Sequence, residues 1–285
     1  MTEPDRRNMT FRQAEGLDPL PSPVALGEVS QECRAILWQY VLKLVTLSPR
    51  QDQVTGYEIW PSDAWRKAFQ NWHVRRKFLP LDELDQTLNA RLPFLKNVVW
   101  YWTTSNLFDF LTFLMREPGL DHLERAFAGI FEESRLAYRI ADKTIFPAAS
   151  TEEGQTIVAA FADLRGTEYG GSRQHLRSAG TLLTAGDWAG SIRESVHAVE
   201  SLCKVIEPTA NTLSDALKKI RSQGHMNPNL SRGLEALYNY SSDEQGIRHA
   251  QVFEGAPAVD QTDAVYMFGA CAAFLSFLIG RSGTA

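Results

Sequence analysis

The chain has 285 residues, of which 44% are hydrophobic and 22% are charged, a composition typical of a globular protein with a sizeable core. The formal net charge of −5 excludes a protein whose whole surface attracts nucleic acid, so RNA or DNA would need a local basic patch. The three cysteines, Cys33, Cys203 and Cys271, are far apart and form no C-x-x-C pair. Their odd number and the lack of a secretory signal at Met1 predict a reduced, cytoplasmic protein with buried thiols.

Helices dominate the predicted first half. Residues 1–10 are polar and are predicted to form a disordered tail, and the three prolines within 17–27 exclude a helix there. Residues 138–146 predict a small β-hairpin that turns at Asp142 and Lys143, and 98–102 fits either a strand or a helix. Apolar side chains at steps of three and four predict helices over 28–47, 61–78, 81–90, 104–115, 120–135 and 151–164.

The second half predicts a compact helical bundle. A glycine-rich polar break at 166–172 marks the predicted boundary between the two parts. Asp187 is the predicted cap of one helix, and Thr212 with Asp215 resembles the capping box of the next. Apolar periodicity predicts helices over 172–185, 188–206, 212–222, 228–239 and 263–280. The predicted fold class is therefore mainly α, with an amino-terminal helical domain that includes a small β-hairpin, followed by a helical bundle.

One stretch of the sequence is apolar enough to resemble a membrane span. Residues 264–280 contain no charge over 17 positions, just short of the roughly 20 that a bilayer requires. Asp263 and Arg281 flank the stretch, as an N-cap and a dipole partner flank a soluble helix. We expect a buried central helix and no membrane association; the alternative is a membrane-active protein that acts through 264–280.

The sequence contains none of the common catalytic or metal-binding motifs. It has no phosphate-binding glycine loop, no paired Cys/His spacing and no G-x-S-x-G. Glu194, His197 and Glu200 recur at steps of three and share one helix face, which could ligate a metal. A solvated polar stripe is the favoured interpretation, so no metal and no cofactor are predicted. The remaining histidines without distinctive neighbours are His73, His122, His175 and His225.

The order of the segments resembles a known family over nearly the whole chain. Residues 171–285, with SIRESVHAVESLCKVI, TLSDALKKI, NLSRGLEALYNYSSDEQGIRHA and DAVYMFGACAAFLSFLIG, are similar to the HEPN-like domain of bacterial abortive-infection proteins. Residues 11–166 resemble an AbiJ-type amino-terminal domain through FRQAEGLDPLPSP, ECRAILWQYV and the hairpin RLAYRIADKTIFP. The resemblance implies an anti-phage defence effector that forms a homodimer through its HEPN-like domain and acts on RNA or with a protein partner.

The resemblance also implies a candidate catalytic motif. Many HEPN domains are metal-independent RNA endonucleases with an Arg, four to six residues and a His, often as R-N-x-x-G-x-x-H-G. The His can exchange a proton with a ribose 2′-OH, and the Arg can stabilise the charge that develops on the phosphate. Here His249 matches the pattern, Asp243 replaces the Asn, and Ser242 stands at the position of the Arg. Arg248, directly before His249, is the alternative arginine. The implied catalytic residues are His249, Arg248 and Asp243.

Two other interpretations of this segment remain open. It can be a polar loop that leads into the last helix, or part of a catalytically inactive module that dimerises or docks a partner. RNA, if bound, would need positive surfaces, because neither half of the chain is basic. The aromatic spacing of 60–78 fits a core face, while the basic face could contact phosphate as an aromatic side chain stacks on a base. The candidate RNA-binding residues are Arg66, Lys67, Arg75, Arg76, Lys218 and Lys219.

Overall fold

The computed structural model describes residues 10–18, 24–46, 50–51, 59–223, 226–243 and 259–282. Within these ranges the chain is mainly helical with short antiparallel β-structure, as the sequence predicts. The amino-terminal elements are α1 (Phe11–Ala14), α2 (Gln31–Thr46), β1 (Arg50–Gln51), β2 (Ile59–Trp60), α3 (Asp63–Arg75), α4 (Leu88–Tyr101), α5 (Thr104–Arg116) and α6 (His122–Glu133). The later elements are β3 (Tyr138–Ala141), β4 (Thr144–Pro147), α7 (Thr151–Asp163), α8 (Gly170–Ala185), α9 (Trp188–Ile206), α10 (Leu213–Ser222), α11 (Pro228–Asp243) and α12 (Gln261–Ser282).

The β-hairpin forms at the predicted turn. Strands β3 and β4 pair antiparallel, with Ala141 opposite Thr144. The two turn residues, Asp142 and Lys143, both have positive φ, at 51° and 56°. Two successive residues of this kind make the tight turn that matches the twist of the flanking strands. The strands are buried along their whole length.

The described residues form two hydrophobic cores that meet at the hairpin. Ile140 and Ile145 pack in the core of α2 to α6, whereas Ala141 and Phe146 pack in the core of α7 to α12. Helix α7 precedes the predicted boundary at 166–172, yet its buried side chains belong to the second core. Grouping the helices by hydrophobic core therefore assigns α7 to the carboxy-terminal part. Within the predicted boundary at 166–172, residues Thr167–Tyr169 form a short 3-10 turn before α8.

Helix α12 lies in the second core, where it packs against α7, α8 and α9. It is long and apolar enough to span a membrane by length and composition, and 56% of its most apolar window is buried inside the protein. Ala264, Phe268, Ala272 and Leu275 are fully buried and follow one another at steps of three or four, which is the pattern of a core helix.

One helix prediction is wrong. Residues 81–90 do not form a single helix: a 3-10 turn covers Leu81–Glu83, and α4 begins only at Leu88. The Asp85 carboxylate accepts hydrogen bonds from the backbone N–H and the hydroxyl of Thr87, and Thr87 in turn caps α4. Such local side-chain bonds compete with helical hydrogen bonds and separate the two elements. The ambiguous stretch 98–102 continues α4 to Tyr101 and is therefore helical.

Candidate functional site

The predicted catalytic residues fall at the edge of the described chain. Asp243 is the last residue of α11. Arg248 and His249 lie within 244–258, outside the described residues. Their roles therefore stay predictions from the sequence.

The predicted basic residues of α3 and of its C-cap differ in exposure. Arg66 is partly buried and forms a 3.0 Å ion pair with Asp63 one turn earlier in the helix. Lys67, Arg75 and Arg76 are exposed, and Arg76 pairs with Asp109 of α5. The aromatic side chains of the helix, Trp65, Phe69 and Trp72, are buried in the first core. The core interpretation of these aromatic residues is thus confirmed, and none of the three is accessible to a base.

A different aromatic side chain accompanies the exposed cations. Phe78 follows α3 and is 83% exposed, directly after Arg75, Arg76 and Lys77. Its φ of 57° lies in the left-handed region, which is unfavourable for a bulky side chain. Residues with such strained backbone conformations are concentrated at functional sites. We refer to Arg75, Arg76, Lys77 and Phe78 as the basic turn.

The basic turn is anchored on α5. The Arg76 guanidinium lies 3.5 Å from the Asp109 carboxylate and 5.9 Å from the centre of the Phe113 ring. Asp109, Phe113 and Arg116 follow one another by four and three residues, so they share a helix face that leads away from the basic turn. Partial desolvation lowers the pKa of the Arg116 guanidinium, and the nearby positive charges of Arg177 and Arg76 lower it further. Arg116 therefore lies near enough to Arg76 of the basic turn and to Arg177 of α8 for both charges to act on it.

A groove of about 710 Å³ lies beyond Arg116. We call it the hairpin groove, because the turn of the β-hairpin forms one wall and α8 forms the opposite one. Helix α8 is held on β4 by a 2.7 Å hydrogen bond from the Thr184 hydroxyl to the Ile145 carbonyl. The close approach is possible at Gly180, where a Cβ would come within 3.3 Å of Phe146. The lining residues are Arg116, Asp142, Lys143, Gln174, Arg177, Ser178, Thr181, Leu182 and Glu194.

A buried carboxylate organises the cations of the groove. The Asp142 side chain is 7% exposed and accepts hydrogen bonds from Arg173 and Arg177 of α8. Burial alone raises the pKa of Asp142, but the hydrogen bonds and positive charges of both arginines outweigh it, so the pKa lies below its ordinary value. On the other side of the turn, the Lys143 ammonium donates to the Asp121 carboxylate at 2.6 Å.

A second polar cluster lies between α8 and α9. The Glu194 carboxylate is 2.8 Å from Nδ1 of His175 and 3.6 Å from Nδ1 of His197. The two imidazole rings are 5.4 Å apart between centroids. We call His175, Glu194 and His197 the histidine cluster; Glu194 belongs both to it and to the lining of the hairpin groove. The polar stripe predicted from the sequence consisted of Glu194, His197 and Glu200, so the structure has His175 in the cluster where the sequence predicted Glu200.

The predicted carboxy-terminal basic residues lie in another part of the molecule. Helix α10 packs on α9 and α11 in the second core, whereas α3 belongs to the first. The Lys219 ammonium is engaged by the Asp215 carboxylate at 3.1 Å and the Thr209 carbonyl at 3.0 Å, while Lys218 is exposed. Lys219 thus has local partners within its own segment.

The three cysteines are buried, as predicted, and none forms a disulfide. Burial raises the pKa of the Cys33 thiol to about 11 and those of Cys203 and Cys271 to about 12. Because the thiolate is the reactive form, these residues are unsuited to nucleophilic chemistry near neutral pH.

Comparison of the chain with protein-family models, curated proteins and solved structures finds no match in any of the three. The resemblance to abortive-infection proteins therefore rests on the sequence segments quoted above.

Sequence reasoning missed most of the residues that the tertiary structure gathers here. Phe78 lies at the end of the predicted helix 61–78, and nothing in its local pattern distinguishes it from the core aromatics that precede it. Arg116 is far in sequence from Arg177 and approaches it only through the packing of α5, the hairpin and α8, whereas Arg173 and Arg177 lie about one turn apart on α8.

Proposed function

We propose that this protein is an anti-phage defence effector that binds RNA across the basic turn and the hairpin groove and cleaves it with its HEPN-like domain. The observation that carries the binding proposal is Phe78, an 83% exposed aromatic ring that follows three consecutive cations. Proteins that bind single-stranded nucleic acid combine these two features: cations follow the backbone while an aromatic ring stacks on a base.

The charges along this surface suit a polyanion. Basic side chains outnumber acidic ones from the basic turn to the groove, although the net charge of the chain is −5. Arg66 and Lys67 lie nearer the start of the same helix, α3. The basic residues are Arg75, Arg76, Lys77, Arg116, Lys143, Arg173 and Arg177, against Asp109, Asp121, Glu124, Asp142 and Glu194.

Cleavage is proposed on the resemblance to HEPN domains. His249 would act as the acid/base group and Arg248, of the same or a second chain, would stabilise the charge on the phosphate, with Asp243 nearby in sequence. A homodimer through the HEPN-like domain would bring two such segments together. No cofactor is needed in this scheme.

A second function is favoured by one residue. Ser242 stands where the HEPN pattern has its Arg. A HEPN-like domain without that Arg would serve as a dimerisation or partner-binding module, and the protein would then hold RNA or a protein of the defence system without cleaving it.

RNA binding is tested by fluorescence anisotropy with a labelled single-stranded RNA at several salt concentrations. We expect Phe78→Ala to weaken binding by roughly tenfold, since stacking contributes about 1–3 kcal/mol per base. Arg76→Ala should reduce the slope of log affinity against log salt by about one, as expected for one phosphate contact. The matched controls are Phe11→Ala, which removes another exposed aromatic side chain, and Lys43→Ala, which removes an exposed cation of α2. Equal affinity of wild type and Phe78→Ala would refute the stacking role.

Cleavage is tested separately, by incubating purified protein with tRNA or total RNA. Wild type should cleave and His249→Ala should not. Equal cleavage by the two proteins excludes His249 as the catalytic group. RNA binding without cleavage by wild type identifies the binding module instead.

A further inference from the structure

We infer that the histidine cluster is a binding site for a divalent transition-metal ion of the zinc class, held by His175, Glu194 and His197. The inference does not depend on RNA binding or on the HEPN-like segment. It is carried by the convergence of two imidazoles and one carboxylate from two packed helices.

The positions of the ligand atoms suit one small ion. One ligand atom from each of the three side chains lies within 4.8 Å of the others. Zinc bonds of about 2.0–2.2 Å place tetrahedral ligand atoms about 3.3–3.6 Å apart, so small side-chain rotations close the site. The two oxygens of Glu194 face different rings, at 2.8 Å from His175 and 3.6 Å from His197.

The chemistry of the ligand set selects the class of metal. Two imidazoles and one carboxylate form a set that binds zinc and neighbouring transition metals, whereas Mg²⁺ and Ca²⁺ prefer oxygen ligands. Three protein ligands leave a fourth coordination position for water or an anion. The side chains of His175, Glu194 and His197 are 38%, 24% and 35% exposed, so an ion can reach them from solvent.

Rigid elements hold the three ligands. Helices α8 and α9 are joined by a short turn in which Gly186 adopts a left-handed φ of 84° and the Asp187 carboxylate caps α9 at Gly190. Leu176 and Ala198, next to His175 and His197 in sequence, are fully buried. Ligands on packed helices need little reorganisation when the ion binds.

The site adjoins the hairpin groove, because Glu194 contributes to both.

The test uses the full chain after treatment with a chelator, titrated with Zn²⁺ by calorimetry and with Co²⁺ by visible absorption. We expect one ion per chain and, for Co²⁺, the absorption of a four- or five-coordinate complex. His197→Ala and Glu194→Gln should each weaken Zn²⁺ binding by roughly tenfold or more, since even outer-shell changes cost about 10–100-fold. His122→Ala, which removes an exposed histidine of α6, is the control and should bind as wild type does.

Circular dichroism of each variant without metal separates loss of ligands from loss of fold, and His175→Gln provides a second, more conservative variant. The inference is overturned if wild type shows no saturable Zn²⁺ binding. It is equally overturned if folded His197→Ala and His175→Gln bind as wild type does, or if His122→Ala alone loses the ion. RNA binding is compared in His175→Gln, because His175 does not line the hairpin groove: loss of Zn²⁺ binding with RNA binding retained separates the metal site from the proposed RNA surface.

Discussion

At the residue scale, Asp142 determines how the hairpin turn meets α8. Its left-handed backbone, with φ of 51°, is one that Asp and Asn tolerate better than most side chains. Its carboxylate accepts from both Arg173 and Arg177, which holds the two guanidinium groups beside the turn and Arg177 in the lining of the groove. One residue therefore supplies both the turn geometry and the charge that orders the cations.

Asp142→Asn should destabilise the protein by about 1–2 kcal/mol near neutral pH, a value reduced because both arginines are about a third exposed. The pKa of Asp142 is lowered in the folded state, so this stability is present above the pKa of the unfolded chain, about 3.9, and is lost as the pH falls through the lower folded value. Urea unfolding midpoints of wild type and variant should differ near pH 7, and the difference should shrink as the pH falls below about 3.9 toward the lower folded pKa.

Asn keeps the shape of Asp and its tolerance of the turn, so the comparison isolates the charge. Asp121→Asn is the control, because this 69% exposed carboxylate pairs with Lys143 at the same turn and should affect stability little. A difference between wild type and Asp142→Asn that is constant with pH would contradict the ion-pair explanation.

At the element scale, a buried arginine connects two helices of the first core. Arg34 of α2 is 8% exposed and donates to the carbonyl of Val99 at 2.5 Å and to that of Trp102 at 3.0 Å. The last carbonyls of a helix lack partners within the helix, so Arg34 satisfies the end of α4. Desolvation lowers the pKa of its guanidinium, which nevertheless stays charged, and the two carbonyl acceptors satisfy its N–H donors.

Arg34→Met should lower the free energy of unfolding by roughly 2–4 kcal/mol, because two buried carbonyls lose their donor while the apolar volume is kept. The free energy of unfolding of Arg34→Lys should lie between those of wild type and Arg34→Met, since a single ammonium lacks the planar fork that reaches both carbonyls. Arg12→Met removes an arginine whose ion pair with Asp18 is exposed and serves as the control. Thermal or urea unfolding checks the order; a loss from Arg12→Met as large as that from Arg34→Met would contradict it.

Elements were predicted where their signals are local. The hairpin over 138–147 follows from two short apolar strands around Asp142-Lys143, and Thr212 caps α10 through the backbone N–H of Asp215, as its spacing indicates. The predicted helix over 81–90 fails because Asp85 and Thr87 bond to each other and begin a new helix. That competition depends on side-chain geometry, which apolar periodicity does not report.

At the scale of the whole molecule, the hairpin and α12 determine how the chain is assembled. The hairpin contributes side chains to both hydrophobic cores, and the buried side chains of α12 pack in the second core. A helix in this position is expected to stay inside the protein. The homodimer remains a proposal that follows from the HEPN resemblance.

The whole chain is purified without detergent, and its mass is measured by size-exclusion chromatography with light scattering. We expect a mass of twice 32.0 kDa. The dimer should persist on dilution into the low micromolar range. A mass of 32.0 kDa at every concentration would contradict the homodimer. A protein that requires detergent to stay in solution would instead favour the membrane-active alternative for 264–280.

The sequence by itself determined the fold class, the hairpin, most helices and the burial of the cysteines and of α12, because these depend on apolar periodicity and local capping. It also supplied the resemblance that motivates the roles of Arg248 and His249. Only the tertiary structure decided that His175 joins Glu194 and His197 in place of Glu200, and that Arg116 comes near both Arg76 and Arg177. Helical spacing relates residues within one helix, whereas these contacts join side chains of different helices, and only packing brings those together.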